Sequence, residues 1–268
     1  MKRWLVLLIV LSLPCLAAIK GNGTSGMMIS GDGSSGCAHC WPAPTSYTIV
    51  SWFKGVADPN SSATKTVMLF TEEASPGSDI EFNWSHTNAS YKDACTHASS
   101  FPIANIAPVV GGTWYSIACT WDGTTLRSYR NGSLISSTAI SSIASGGGLV
   151  AALGYFPGHS AFNDGTVAEI AYFSNVVLTA NELKALAAGT TPMTLRKPTV
   201  YLAMWGTAFA ATYEADLSGT LDPAGNVVFG QFYNWSGSAW STSTSGVSVA
   251  NHAPVRPFST EEEGQGGQ

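Results

Sequence analysis

Apolar residues in this chain come in short runs, set apart by glycine, asparagine, aspartate and proline. The run Trp114–Trp121 is rich in aromatic and β-branched residues, the make-up of a strand. Asp122-Gly123 ends it, and Leu126 to Arg130 begins the next run. Asn131-Gly132 then predicts a tight hairpin turn into Ser133-Leu134-Ile135, because Asn and Gly tolerate positive φ. Gly146-Gly147-Gly148 leads into a strand over 149–154, and residues 166–173 make another. Upstream, strands are expected at 27–29, Tyr47–Lys54, 66–70 and 80–84; downstream, at 199–205, 227–233 and 247–249. Residues 85–107 show no clear period and are expected to form long loops.

One helix stands out near 180–188. Thr179 is placed to cap it, and Glu182 three residues on completes a capping box. Leu183, Leu186 and Ala187 form one apolar face, and Gly189 is a left-handed stop. A linker containing Pro192 follows over 191–197.

The order of these motifs carries a resemblance. Trp-Tyr-Ser-Ile-Ala-Cys-Thr-Trp-Asp-Gly from Trp114, Leu-Arg-Ser-Tyr-Arg-Asn-Gly from Leu126, and Leu-Val-Ala-Ala-Leu-Gly from Leu149 come first. Phe-Asn-Asp-Gly-Thr-Val-Ala-Glu-Ile-Ala-Tyr-Phe from Phe162 and Leu-Thr-Ala-Asn-Glu-Leu-Lys-Ala-Leu from Leu178 follow. Together with the early strand around Trp52, they resemble the laminin-G-like, concanavalin A-like jelly-roll family over 47–189. The resemblance implies an all-β fold: a two-sheet antiparallel jelly-roll sandwich with one short helix near 180–188. It implies no single activity, since lectins, glycanases and adhesion modules share the architecture. Tyr201 to Trp205 and Glu214 to Gly219 resemble the opening strand and turn that usually precede the early strand of this family; here they follow the helix. We therefore expect one domain over 19–250, with core 47–189 completed by C-terminal strands in 199–250. A disordered tail is expected over 251–268.

Composition adds a location. Hydrophobic residues are 45% and charged ones 11%, enough apolar material for a sizeable core. Residues 1–18 read as a secretory leader: Lys2 and Arg3, an apolar run too short to span a bilayer comfortably, then Leu16-Ala17-Ala18. The expected location is secreted, extracellular or at the cell surface. Without the leader, 10 Lys and Arg face 17 Asp and Glu, a net charge of −7. An acidic chain with no basic cluster argues against nucleic acid, and against membrane contact beyond the leader.

Cys37, Cys40, Cys95 and Cys119 remain after the leader. An even number in a secreted chain favours disulfides, and three pairings are open. Cys37-Ala38-His39-Cys40 also has redox or zinc spacing. The first use needs a βαβ context that is missing, and the second needs two further ligands, for which His39, His86, His97 and Cys95 are the candidates.

For chemistry, glycanases of the resembled family use a strand motif of Glu, one residue, Asp, two residues, Glu. The nearest match here is Asp79-Ile80-Glu81, and Asn83-Trp84 stands where the third acid belongs. No catalytic residue is assigned, and an enzyme is not expected. Binding has more support. Sugars stack C–H faces on rings while their hydroxyls need donors and acceptors. Asn83-Trp84-Ser85-His86, and Tyr155 to His159 with Asn163-Asp164, have that make-up, as does Asn234-Trp235 with Trp240. The expected binding set is Trp84, His86, Tyr155, His159 and Asp164. The resemblance also implies a structural calcium ion, with Glu169 and Asp216 at the matching positions. The expected function is a non-catalytic lectin-like module for carbohydrate or a surface protein. A structural or adhesion protein of a cell envelope or virion is the alternative, and a glycoside hydrolase the second.

Overall fold

The computed structural model describes residues 18–20, 25–28, 44–54, 64–70, 80–87, 90–97, 112–140, 149–152, 166–202, 213–215, 229–235, 240–242 and 248–250. Side chains are described over 44–54, 112–140 and 166–202. The expected leader and tail lie outside this set, apart from Ala18, as do Cys37 and Cys40.

The described strands form two antiparallel sheets, the jelly roll that the motif order implied. The first sheet is built on β3 (Tyr47–Lys54), β7 (Trp114–Trp121), β8 (Thr125–Arg130), β9 (Ser133–Ala139) and β11 (Thr166–Ser174). β1 (Ala18–Lys20), β12 (Val200–Leu202) and β16 (Ser248–Ala250) complete it. Its order is β16-β1-β11-β3-β7-β8-β9, and β12 also pairs with β11. The second sheet runs β13-β14-β2-β10-β4-β5-β6, with β15 on β14. Its strands are β2 (Ser25–Met28), β4 (Thr64–Phe70), β5 (Ile80–Thr87), β6 (Ser90–His97) and β10 (Leu149–Ala152), with β13 (Tyr213–Ala215), β14 (Phe229–Trp235) and β15 (Trp240–Thr242).

The central strands of the first sheet are buried on both faces. In β3 every residue from Tyr47 to Phe53 is buried, which is why its sequence is a near-continuous apolar run rather than an alternation. One face packs beneath helix α1 (Ala180–Ala187). There Val50, Trp52, Ala118, Tyr129, Phe173 and Tyr201 meet Leu183 and Leu186. Burial of each such leucine stabilises the fold by roughly 1.5–3 kcal/mol. The helix starts as its sequence predicts: the Glu182 amide donates to Thr179 Oγ1 at 3.3 Å, and the Thr179 amide donates to Glu182 Oε2 at 2.7 Å. Arg196 Nε donates to Glu182 Oε1 at 2.6 Å and ties the following segment back onto the helix. That segment holds one further turn, α2 (Pro192–Leu195), inside the expected linker. Proline at its first position suits it, because that N–H has no partner in a helix.

The β8–β9 turn has the expected geometry, with φ 50° at Asn131 and 73° at Gly132. The Asn131 side chain also accepts a hydrogen bond from the Ser116 amide at 3.0 Å, which locks the turn onto β7.

One stretch differs from its sequence reading. Residues 85–107 were expected to be loops, yet β5 continues to Thr87 and β6 spans Ser90–His97. The two strands form an edge hairpin with eight residues in register, from Ile80 opposite His97 to Thr87 opposite Ser90. Backbone pairing with β5 holds this polar segment extended. Hydrophobic period gives no sign of it, because an edge strand need not bury either face continuously.

Candidate functional site

The β5–β6 hairpin positions two of the five expected binding residues. β5 pairs with β4 on one side and β6 on the other, so its backbone is held by both neighbours. Trp84 lies opposite Asp93 of β6 and Lys65 of β4, and His86 lies opposite Tyr91. Alternation puts Ile80, Phe82, Trp84 and His86 on one face of β5, and Glu81, Asn83, Ser85 and Thr87 on the other. Directly opposed residues share a face, so Tyr91, Asp93 and Cys95 join Trp84, while Lys92, Ala94 and Thr96 join Asn83.

This register divides a group that the sequence placed together. Trp84 and His86 share a face, and Asn83 and Ser85 lie on the reverse. The Trp84 face gains an aromatic, a carboxylate and a cation from neighbouring strands: Tyr91, Asp93 and Lys65. Sequence reasoning missed Tyr91 and Asp93 because it took their segment for a loop. The every-second-residue spacing of Tyr91, Asp93, Cys95 and His97 was the available signal. Tyr155, His159 and Asp164 lie outside the described residues, as does Asp79. Glu81 is on β5, on the reverse face from Trp84 and opposite Thr96.

Among the residues with described side chains there are three carboxylates: Asp122, Glu169 and Glu182. Asp122 and Glu182 have the following partners. Asp122 Oδ1 accepts from the Thr124 amide at 2.9 Å, Thr124 Oγ1 at 2.7 Å and the Thr125 amide at 2.8 Å, and Arg127 donates to Oδ2 at 2.6 Å. Burial opposes ionisation of Asp122, but the Arg127 guanidinium and the Thr124 and Thr125 donors outweigh it and hold the carboxyl well below the usual range. For Glu182, burial is likewise outweighed, by the Thr179 amide and then by Arg196.

Glu169, the third, is half-buried on β11 opposite Trp52, next to an irregularity in the pairing with β3. It belongs to the first sheet. β13, which ends one residue before Asp216, belongs to the second. Asp216 itself lies outside the described residues. Among the described residues no group of three or more His, Cys, Asp and Glu side chains is gathered for a metal ion.

Trp52 and Trp121 are buried, as expected of strand tryptophans. Trp114 is half-buried, and Lys54 Nζ sits 5.1 Å from its ring centroid. Arg130 lies similarly over Tyr115, at 5.0 Å. A ring face that carries a cation is not offered to a sugar.

The sequence profile of the concanavalin A-like lectin/glucanases superfamily matches residues 30–184. No individual curated protein matches the chain in sequence. Among solved structures, a candidate carbohydrate-binding protein from Bacteroides ovatus is similar with a TM-score of 0.59 and 14% identity, over 88% of this chain and 60% of that one. A native heptameric SAP-like pentraxin from Limulus polyphemus is similar with a TM-score of 0.54 and 14% identity, over 88% of this chain and 95% of that one. At this identity the likeness is one of fold.

Proposed function

Since the chain belongs to the concanavalin A-like lectin/glucanase superfamily, we propose that it is a secreted, non-catalytic module that binds glycan through the β5–β6 hairpin and the loops expected beside it. The observation that carries this reading is the Trp84 face, where the register sets an aromatic between Asp93 and Lys65, and an imidazole opposite Tyr91. Stacking on a ring and hydrogen bonding to charged groups is the chemistry a pyranose needs. Tyr155, His159 and Asp164 are proposed to complete the site. The similar Bacteroides ovatus protein, described as a candidate for carbohydrate binding, supports the same substrate class.

Such a site is weak alone, because sugar hydroxyls exchange water for protein partners of similar strength. Useful avidity then comes from repeated engagement of a polymeric glycan. The hydrolase alternative lacks support in the sequence, since Asn83-Trp84 replaces the third acid of the glycanase motif.

Calcium is proposed as a structural ion near Glu169 and Asp216. Glu169 is in the first sheet and β13, which precedes Asp216 in sequence, is in the second, so an ion shared by the two would clamp the sheets together, with further oxygens from backbone carbonyls. Excess calcium should raise Tm in the wild type and not in Asp216→Ala; an unchanged Tm in both removes the ion from the account.

The binding proposal is tested by titrating polysaccharides against wild type, Trp84→Ala and Tyr155→Ala. Either substitution should weaken binding at least tenfold with the fold intact by circular dichroism. Binding that survives both excludes this site. Reducing-sugar release that depends on Asp79 and Glu81 would establish the hydrolase instead.

A further inference from the structure

We propose that β9 is the surface through which two copies of this chain associate, edge to edge and antiparallel, about a twofold axis. β9 stands last in the order of the first sheet and, among the described residues, pairs with β8 alone. The Ile140 amide donates to the Thr124 carbonyl at 2.7 Å. Alternate residues of an antiparallel strand turn their N–H and C=O to opposite sides, so Ser137 and Ala139 direct theirs away from β8. Such a row of backbone groups is ready to pair with one more strand. Leu134 and Ile135, 54% and 36% exposed, stand on the same edge. With Met193 they are the exposed large apolar side chains among the described ones.

Charge identifies the occupant as a second copy. β6, the long edge strand of the second sheet, carries Lys92 and Asp93, and charges on an edge oppose strand addition. β9, the long edge strand of the first, reads Ser-Leu-Ile-Ser-Ser-Thr-Ala, with no charge and no proline. The whole chain has a net charge of −5, so two copies repel each other in general, and an uncharged strand is where they meet at least cost. A strand paired antiparallel with itself is also self-complementary, since the twofold axis brings each donor to the matching acceptor.

The edge is held in place before it pairs. Asn131 accepts from the Ser116 amide, and Gly132 sits against Lys184 of α1, so the start of β9 is fixed and little ordering cost remains. Its register with β8 shifts at Ile135, because Leu134 lies opposite Tyr129 and Ser136 opposite Ser128. The regular stretch is therefore 136–140. Pairing within that stretch sets Thr138 opposite its counterpart, and Ser137 and Ala139 exchange N–H···O=C bonds with Ala139 and Ser137 of the second copy. Leu134 and Ile135 flank the seam, where the second copy covers them. The inference goes beyond the glycan reading and does not rest on it; two joined copies would carry two Trp84 faces to one polymer.

Sedimentation velocity of the folded, oxidised chain over a concentration series into the high micromolar range tests the proposal. The wild type should move from monomer to dimer. Ser137→Pro removes an outward N–H and no hydrogen bond to β8, a place where an edge strand accepts proline. Ser137→Lys changes an exposed side chain and sets like charges on both sides of the seam. Each should weaken association by about tenfold or more, with far-UV circular dichroism unchanged. Trp84→Ala should dimerise as the wild type does, whatever its effect on glycan. A wild type that stays monomeric throughout, or a dimer that survives both Ser137 substitutions, overturns the inference.

Discussion

At the scale of single residues, Gly132 shows how closely the parts of this fold meet. Its φ is 73°, and a Cβ added there would stand 2.6 Å from Lys184 Cα in helix α1. Two penalties coincide, a left-handed backbone and a clash with helix backbone. Gly132→Ala should therefore cost about 2 kcal/mol or more, read from the shift in denaturant midpoint. The Asn-Gly pair announced the turn, because turn chemistry is local. Nothing in it announced the helix packed against it, because that contact joins Gly132 and Lys184, 52 residues apart in sequence. Asp122 on the acid side and Tyr172 on the alkaline side are among the groups that make stability depend on pH. Asp122 is held below the usual carboxylate range in the fold, so the unfolded chain binds more protons on the acid side. Its contribution is present above the ordinary carboxylate pKa and is lost as pH falls below it. Asp122→Asn should flatten the acid limb of a stability–pH curve. Burial pushes Tyr172 up from 10.0 to about 12. Its neutral form is favoured in the fold, so stability should fall as pH rises from 10 to 12, and Tyr172→Phe should remove that part of the loss.

At the scale of elements, the helix and the β5–β6 hairpin are opposite cases. The helix was legible down to its first turn. Thr179 and Glu182 meet as the capping box predicts, and Leu183, Leu186 and Ala187 are its buried residues. Both signals are short-range. Thr179→Ala should cost about 1 kcal/mol, and Glu182→Gln, which keeps a side-chain acceptor, should cost less; paired chemical denaturation curves measure the difference. The hairpin was half legible. Residues 80–84 carry apolar and aromatic side chains and read as a strand, but Ser90–His97 is polar and mixed. Its structure comes from pairing with β5, which a local pattern does not encode. The candidate site was legible to the same degree: Trp84 and His86 by residue type, but their partners Asp93 and Tyr91 only through the register.

At the scale of the whole molecule, the segment after the helix is woven into both sheets. β12 pairs with β11 and β16 with β1 in the first sheet, while β14 pairs with β2 in the second. The antiparallel jelly roll was legible because five motifs stand in family order over 47–189. The likeness of Tyr201 to Trp205 to an opening strand led to the expectation that C-terminal strands join the sandwich, and β12 pairs with β11. Removing residues 190–268 would strip neighbours from β1, β2 and β11 at once. A fragment of residues 19–189 should therefore be poorly soluble and show no cooperative melt; a melt close to that of the full chain would mean that the C-terminal strands are dispensable.

The central claim is that this jelly roll binds glycan without cleaving it. A glycan array of polysaccharides probed with the folded, oxidised chain tests that claim most directly. Retention on a restricted set of glycans, lost with Trp84→Ala, is the predicted result. Retention on none of them by a protein that melts cooperatively would contradict it.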